Sequence, residues 1–214
     1  MKYKACVFDL DGTLLDTLPD LVRLTNQVLE EYGYPTYSKQ EIQSFVGNGG
    51  HALMRQAIPA TEPEEKVESA LREWKDRYQR SATLLTNPYP FIPEILMELK
   101  QKGVKLAVLS NKFDAGANVV VNEKLPGLFD IVRGESPECP RKPNPQGLLN
   151  LLEDLRVEKS EVLYIGDSEG DMVTARAAGV CAIGVTWGYQ DVERLRDGGA
   201  EYIVDDPRKI LDLV

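Results

Sequence analysis

Six short apolar runs recur along the chain, at residues 4–10, 105–111, 129–134, 161–167, 181–187 and 202–205, and they constrain the fold more than any other feature. Several are near-continuously apolar. A strand needs that composition when both of its faces are covered, whereas a strand with one wet face alternates. Helical patterns lie between the runs. Residues 93–102 put Ile95, Leu96 and Leu99 on one face and stop at Gly103, and residues 145–155 and 170–178 repeat the theme. Alternating strand and helix predict an α/β chain, with a mostly parallel sheet covered by helices on both sides.

The alternation breaks once. Between residues 18 and 80 there is no convincing strand. Leu21, Leu24, Val28 and Leu29 form a helical stripe ending at Gly33, and residues 39–45, 51–58 and 62–80 read as further helices. A helical block of that size reads as an inserted domain rather than a crossover. The expected organisation is a core built from residues 1–16 and 82–214, with a helical insert at 17–81. Linkers are expected at residues 14–17 and 82–90, the second marked by the turn-rich sequence NPYP.

Composition narrows the function classes. The chain has 214 residues, of which 43% are hydrophobic and 28% charged, as in soluble globular proteins. A net charge of -9 opposes nucleic acid and anionic membranes, although a small anionic substrate responds to local charge only. No apolar run is long enough for a bilayer span, and the first strand leaves no room for a signal peptide, so a cytoplasmic location is expected. The cysteines, Cys6, Cys139 and Cys181, have no metal-binding spacing, and their odd number fits a reducing compartment. A single histidine, His51, excludes a His-rich zinc site, and no GxSxG elbow accompanies it.

The stretch KACVFDLDGTLLDT, residues 4–17, poses the chemical question. Its apolar run stops at Asp9, and Asp11 follows two residues later, on the same face if the strand continues. Like charges so placed repel and resist desolvation. They persist either as a solvated strand end entering a turn, or because a metal, a shared proton or a cationic substrate compensates them. In parallel α/β sheets ligands bind beyond the carboxyl ends of strands. The polar residues expected on that rim are Asp9 and Asp11, then Ser110, Asn111 and Lys112 from LSNK, Lys142 from PRKPNP, and Asp167 and Asp171 from GDSEGD. Clustered carboxylates suit a hard cation such as Mg²⁺. A hydroxyl, an amide and a lysine suit phosphate oxygens. No GxxxxGK[ST] loop is present to cradle a nucleotide, so an aspartate nucleophile attacking phosphorus is the economical reading.

These segments resemble the four motifs of the haloacid dehalogenase-like phosphohydrolases: DLDGT at residues 9–13, Ser110 with Asn111 and Lys112, Lys142 in RKPNP, and GDSEGD at residues 166–171. They occur in the family's order, and the resemblance covers essentially the whole chain. It implies a Rossmann-like core with a helical cap inserted after the first motif. FVGNGGHALMRQAI in the cap, SNK and VTWGY resemble the phosphoglycolate phosphatase branch. The chain departs from that branch in three ways: Ser110 stands where threonine is common, Phe91-Ile92 follows PYP where a glycine is expected, and the cap is short.

The resemblance implies roles. Asp9 is the nucleophile that becomes an aspartyl-phosphate, and Asp11 the acid and base. Ser110, Asn111 and Lys142 bind phosphate. Mg²⁺ is held by Asp9, Asp167 and the Asp11 carbonyl, with Asp171 either reaching it through water or simply favoured in a helix's first turn. In the cap, Asn48, Gly49 and His51 at the start of a helix are candidates for substrate recognition, because a helix N-terminus can receive a carboxylate; a plain turn is the alternative. Lys112 and Arg141 read as surface residues, and Trp187 and Tyr189 as packing beside a loop. The expected partner is a small phosphorylated metabolite, foremost 2-phosphoglycolate, with no nucleic acid or membrane partner and a monomeric or homodimeric state. Rival readings are a pyrophosphatase, a sugar phosphatase, a phosphosugar mutase, or a non-catalytic regulatory module. Asp11 counts against dehalogenase and phosphonate hydrolase, which need no acid for an alkoxide.

Overall fold

The computed structural model describes residues 2–81 and 83–214. Ala82, the first residue of the expected second linker and second core segment, lies outside the described residues. Among the described residues the main sheet has six strands: β1 (Ala5–Phe8), β4 (Lys105–Phe113), β5 (Ile131–Glu135), β6 (Val162–Gly166), β7 (Cys181–Val185) and β8 (Tyr202–Val204). Their spatial order is β5-β4-β1-β6-β7-β8, and every pair is parallel. The chain builds outward from β1 to β4 and β5, then returns to the other side of β1 for β6. The direction of winding therefore reverses at β1, where an open α/β sheet forms its ligand crevice.

Period-two alternation along β1 divides the core. Cys6 and Phe8 face α5 (Ile92–Gln101) and α6 (Asp114–Lys124), while Ala5 and Val7 face α7 (Gln146–Leu155) and α8 (Glu169–Ala178). Each fully buried aliphatic side chain in these layers contributes roughly 1.5–3 kcal/mol over its exposed state. The amphipathic helices α5 and α7 bury the stripes their sequences predict, Ile95-Leu96-Leu99 and Leu148-Leu151-Leu152-Leu155. The sequence reading did not contain α6 or α9 (Val192–Gly198). In α6 the buried face is Gly116, Ala117, Val120 and Val121, a weak apolar stripe broken by a glycine that the Phe113 ring packs against. No described helix is long and apolar enough to cross a membrane.

The insert after β1 is helical, as expected: α1 (Leu18–Glu31), α2 (Lys39–Phe45), α3 (Gly49–Ala57) and α4 (Glu64–Ser81). Leu21, Leu24, Val28 and Leu29 of α1 pack with Val67, Leu71 and Trp74 of α4 in one cluster, and that cluster continues into the core. The two passages between cap and core pair with each other, a detail beyond sequence reach. β2 (Leu15–Asp16) and β3 (Asn87–Pro88) form a short antiparallel ribbon. Asp20, fully buried at the start of α1, accepts the Leu85 and Thr86 backbone N–H groups at 2.8 Å each, and Arg23 donates to its other oxygen at 2.7 Å. A buried charge with this many donors is compensated, so the second passage is pinned to the first helix of the cap.

Candidate active site

Phe8 is in register with Val108 of β4 and Ile165 of β6, and Asp9 extends the ladder by donating its N–H to the Ile165 carbonyl at 2.8 Å. β1 and β6 thus end side by side while β4 runs on to Phe113, and Asp9, Ser110 and Asp167 meet on the rim expected from the sequence. The turn after Asp9 is closed by the Leu10 and Leu15 carbonyls, with Gly12 at φ +90. Only glycine fits there: a Cβ on Gly12 would lie 2.3 Å from Asp167 Oδ2, and one on Gly188 would lie 2.2 Å from Asp167 Cβ. Two glycines therefore let the backbone close around the Asp167 carboxylate. Its oxygens accept from Thr13 Oγ1 and from the Tyr189 N–H, both at 2.8 Å.

Lys142 is buried among the aspartates. Its Nζ lies 2.7 Å from Asp9 Oδ1 and 2.6 Å from Asp171 Oδ1, and donates also to the Leu109 carbonyl at 3.2 Å. Asp171 has no exposed surface. Its Oδ1 takes Lys142 and, at 3.1 Å, the Tyr164 hydroxyl; its Oδ2 caps α8 by accepting from Ser168 N–H and Oγ. The spacing in GDSEGD serves two ends at once, a capping box for α8 and an anchor for the lysine. Both Asp171 oxygens are thus engaged by protein donors.

Burial and the neighbouring Asp171 charge push the Asp9 carboxyl well above the ordinary carboxylate range, against the pull of Lys142. The same two causes raise Asp167 to about 7, opposed by the Tyr189 and Thr13 donors. Burial disfavours the Lys142 cation, but the Asp171 and Asp9 charges outweigh it and hold the ammonium well above its usual value. Three buried carboxylates face one ammonium, so negative charge is in excess.

That surplus, and the donor chemistry, fit a divalent metal ion. Oxygens of Asp9, Asp167 and Asp171 lie within 4.8 Å of one another, an all-oxygen set suited to a hard cation. Asp9 Oδ1 is buried and pairs with the Lys142 ammonium at 2.7 Å, with no further donor among the described residues. Among the described residues no hydrogen bond uses the Asp11 carbonyl.

Asp11 stands beside this cluster. Its Oδ1 accepts from Thr17 Oγ1 at 2.5 Å and its Oδ2 from Lys112 Nζ at 2.8 Å. Lys112 corrects the sequence reading: it is buried, paired with Asp11, and 4.5 Å above the ring of the cap's Tyr78. Tyr189 is likewise no bystander, since its hydroxyl takes the Thr17 N–H at 3.2 Å and its ring lines the cavity. Trp187 does pack beside its loop, donating Nε1 to the Thr13 carbonyl.

A cavity of about 470 Å³ opens over these residues between core and cap. Asp9, Asp11, Ser110, Lys112, Lys142 and Asp167 line its floor, and Asn48, Gly49 and Trp74 line the cap side. Asn111 also borders it, but the Asn111 amide is committed: Nδ2 donates to the Gly47 and Lys142 carbonyls and Oδ1 accepts the Lys142 N–H. In this structure the Asn111 side chain braces two loops. His51 is absent from the cavity wall; its Nε2 lies 2.6 Å from Glu64 and 3.3 Å from Glu68 of α4. One turn of α3 separates His51 from the loop, and its side chain faces along the cap instead of the core. Arg141, read as surface, joins Glu135 to the Asn48 carbonyl.

This chain is similar to known proteins in sequence and fold. The family model for haloacid dehalogenase-like hydrolases matches residues 6–185. A phosphoglycolate phosphatase of Vibrio parahaemolyticus is 33% identical over 99% of this chain and 96% of its own. An N-acetylmuramic acid 6-phosphate phosphatase of Pseudomonas aeruginosa is also 33% identical, over 100% of this chain and 96% of its own. The crystal structure of a candidate phosphoglycolate phosphatase from Lactobacillus delbrueckii subsp. bulgaricus superposes with a TM-score of 0.91 at 35% identity, covering 100% of this chain and 98% of that one.

Proposed function

Because this chain belongs to the haloacid dehalogenase-like hydrolases and is a phosphatase, we propose that it hydrolyses small phosphomonoesters through an aspartyl-phosphate on Asp9, with Mg²⁺ as cofactor and 2-phosphoglycolate as leading substrate. The observation that carries this reading is Asp9, a buried carboxylate at the end of β1 that borders the cavity and whose Oδ1 meets the Lys142 ammonium and no further donor among the described residues.

In the first step an Asp9 oxygen forms a bond to phosphorus as the bond from phosphorus to the ester oxygen breaks. Asp11 delivers a proton to the departing alkoxide. In the second step Asp11 takes a proton from water, the water oxygen bonds to phosphorus, and the bond from Asp9 to phosphorus breaks, releasing inorganic phosphate and restoring the carboxylate. Thr17 and Lys112 orient Asp11 for both transfers. The Ser110 hydroxyl and the Lys142 ammonium hold phosphoryl oxygens, and Asp171 holds Lys142 in place. Asp9, Asp167 and the Asp11 carbonyl would hold the metal ion, which when bound polarises the phosphoryl group and offsets the excess negative charge.

Asn48 and Gly49 at the start of α3 supply the far wall, where free N–H groups of the first helical turn favour a carboxylate. A sugar phosphate is the second reading. It is favoured by the cavity volume, which lies in the range that encloses much larger ligands than a two-carbon acid, and by the Pseudomonas relative. Steady-state kcat/KM values for 2-phosphoglycolate, N-acetylmuramic acid 6-phosphate and an aryl phosphate, with Mg²⁺ and with EDTA, rank the two readings. Acid quenching during turnover should trap phosphate on Asp9. Absence of Mg²⁺-dependent hydrolysis across the panel would refute the proposal.

A further inference from the structure

Two carbonyls of the cap loop are captured by core side chains. Asn111 Nδ2 donates to Gly47 O at 2.8 Å, and Arg141 donates to Asn48 O at 2.6 Å. The Arg141 fork is itself fixed from the core, since its Nε and second terminal nitrogen both donate to Glu135 Oε1, at 3.0 and 2.6 Å. The loop comes close enough for this only through Gly49. At φ +77, a Cβ there would lie 2.9 Å from Glu135 Oε2, 3.1 Å from the Asn111 carbonyl and 3.4 Å from Arg141 Nε. Arg141 does not line the cavity, yet it grips a residue that does and immediately precedes Lys142.

We infer that Arg141 is a positioning residue that latches the cap loop over the active site, gripping the Asn48 carbonyl while Glu135 holds its guanidinium. The inference rests on the phosphatase reading for its catalytic consequence. The captured groups are backbone carbonyls, so the latch is indifferent to loop side chains and leaves Asn48 free to face the cavity. The planar fork suits this task, because Nε and one terminal nitrogen meet Glu135 while the other terminal nitrogen reaches the Asn48 carbonyl, a spread of donors fixed by the guanidinium. A lysine presents its donors from a single point and does not reproduce that spread. With the latch in place, the wall of the cavity made by residues 47–50 stands at a fixed distance from Lys142. Without it, among the described residues the Asn111 side chain is the remaining core hydrogen-bond donor to the carbonyls of that wall, while Gln43 ties the neighbouring α2 to the Tyr189 carbonyl and Gly50 stays packed on Trp74.

The test uses the full chain and compares Arg141→Ala, Arg141→Lys and Gly49→Ala with the parent protein. Amide hydrogen exchange of residues 46–52 is read by mass spectrometry, beside kcat and KM for an aryl phosphate and for 2-phosphoglycolate with Mg²⁺. Loss of one charge-assisted contact predicts exchange in that segment faster by roughly tenfold, a comparable fall in kcat, and no change in strand β6. Gly49→Ala should reproduce this from the other side of the contact. Unchanged exchange in Arg141→Ala overturns the latch. A raised KM with unchanged exchange also overturns it, because that is the signature of direct substrate binding. Faster exchange with unaltered kcat removes the positioning role. Should Arg141→Ala fail to fold, Arg141→Lys and Gly49→Ala decide. A parent protein without phosphatase activity would refute the functional reading, and the exchange measurement would still judge the contact.

Discussion

Replacing Asp167 with Asn separates stability from catalysis. The carboxyl is almost wholly buried, and burial with the Asp171 charge raises it from an ordinary value near 3.8 to about 7. A folded-state value above the unfolded one means that the folded protein holds the proton more tightly. The contribution to stability is therefore complete below pH 3.8 and is lost as pH rises through 7. At roughly 1.4 kcal/mol per pH unit, keeping this carboxylate ionised in the metal-free protein costs up to about 4 kcal/mol at pH 8. An amide removes that cost while keeping both contacts. Its oxygen can accept the Tyr189 N–H, and its NH₂ can donate to the Thr13 hydroxyl, which accepts as readily as it donates.

In EDTA at pH 8, Asp167→Asn should melt above the parent protein by roughly 5–15 °C, the span that about 2–4 kcal/mol gives in a domain of this size. At pH 5 the gap should narrow, because the parent carboxyl is then protonated. Added Mg²⁺ should raise the parent's Tm and leave the variant's nearly unchanged, and the variant's phosphatase activity should fall to background. Differential scanning fluorimetry across pH, with and without metal, reads all of this. A variant less stable than its parent in EDTA at pH 8, or a gap independent of pH, would refute the claim that uncompensated charge at this position strains the metal-free fold.

How far the site could be read from the sequence depended on where each residue finds its partner. Asp9, Ser110 and Asp167 were legible because each ends an apolar run, and parallel strands bring such ends to one rim. Asp171 was legible as a carboxylate in a helix's first turn, but neither its capping of α8 nor its grip on Lys142 was, since 29 residues separate Asp171 from that lysine. Lys112 was opaque for the same reason. A lysine after a strand reads as solvated, and only the fold brings it to Asp11, 101 residues away, and beneath the cap's Tyr78. Phe91 is the converse case. The sequence flagged a missing glycine, and the structure supplies the cause: Phe91 has φ +66, in the left-handed region that glycine occupies without strain. His51 erred through direction, which the position of a residue on a short helix does not fix until the neighbouring helix is placed.

Three further perturbations follow from the same contacts. Phe91→Gly should raise Tm by roughly 2–4 °C through relief of about 1 kcal/mol of backbone strain, less whatever the Arg208 guanidinium 4.2 Å above the ring contributes; a lower Tm would mean that the stacking outweighs the strain. Gly12→Ala should destabilise the protein and weaken Mg²⁺ dependence together, because its Cβ would press on Asp167 Oδ2; calorimetry and a Mg²⁺ titration of activity check both. Asp11→Asn tests the proton transfer assigned to Asp11. The variant leaves Lys112 buried beside an amide, so some loss of stability is expected whatever the catalytic role. Absolute activity is then a poor witness, and the ratio between leaving groups is a good one. An aryl oxide departs without a proton and an alkoxide does not, so the first step with an aryl phosphate should fall far less than with an alkyl phosphate. Breakdown of the phospho-enzyme, which needs a base whatever the original ester was, should slow equally for both. Equal losses in the first step, measured by rapid quench, would remove Asp11 from proton transfer and leave it only the counter-charge for Lys112.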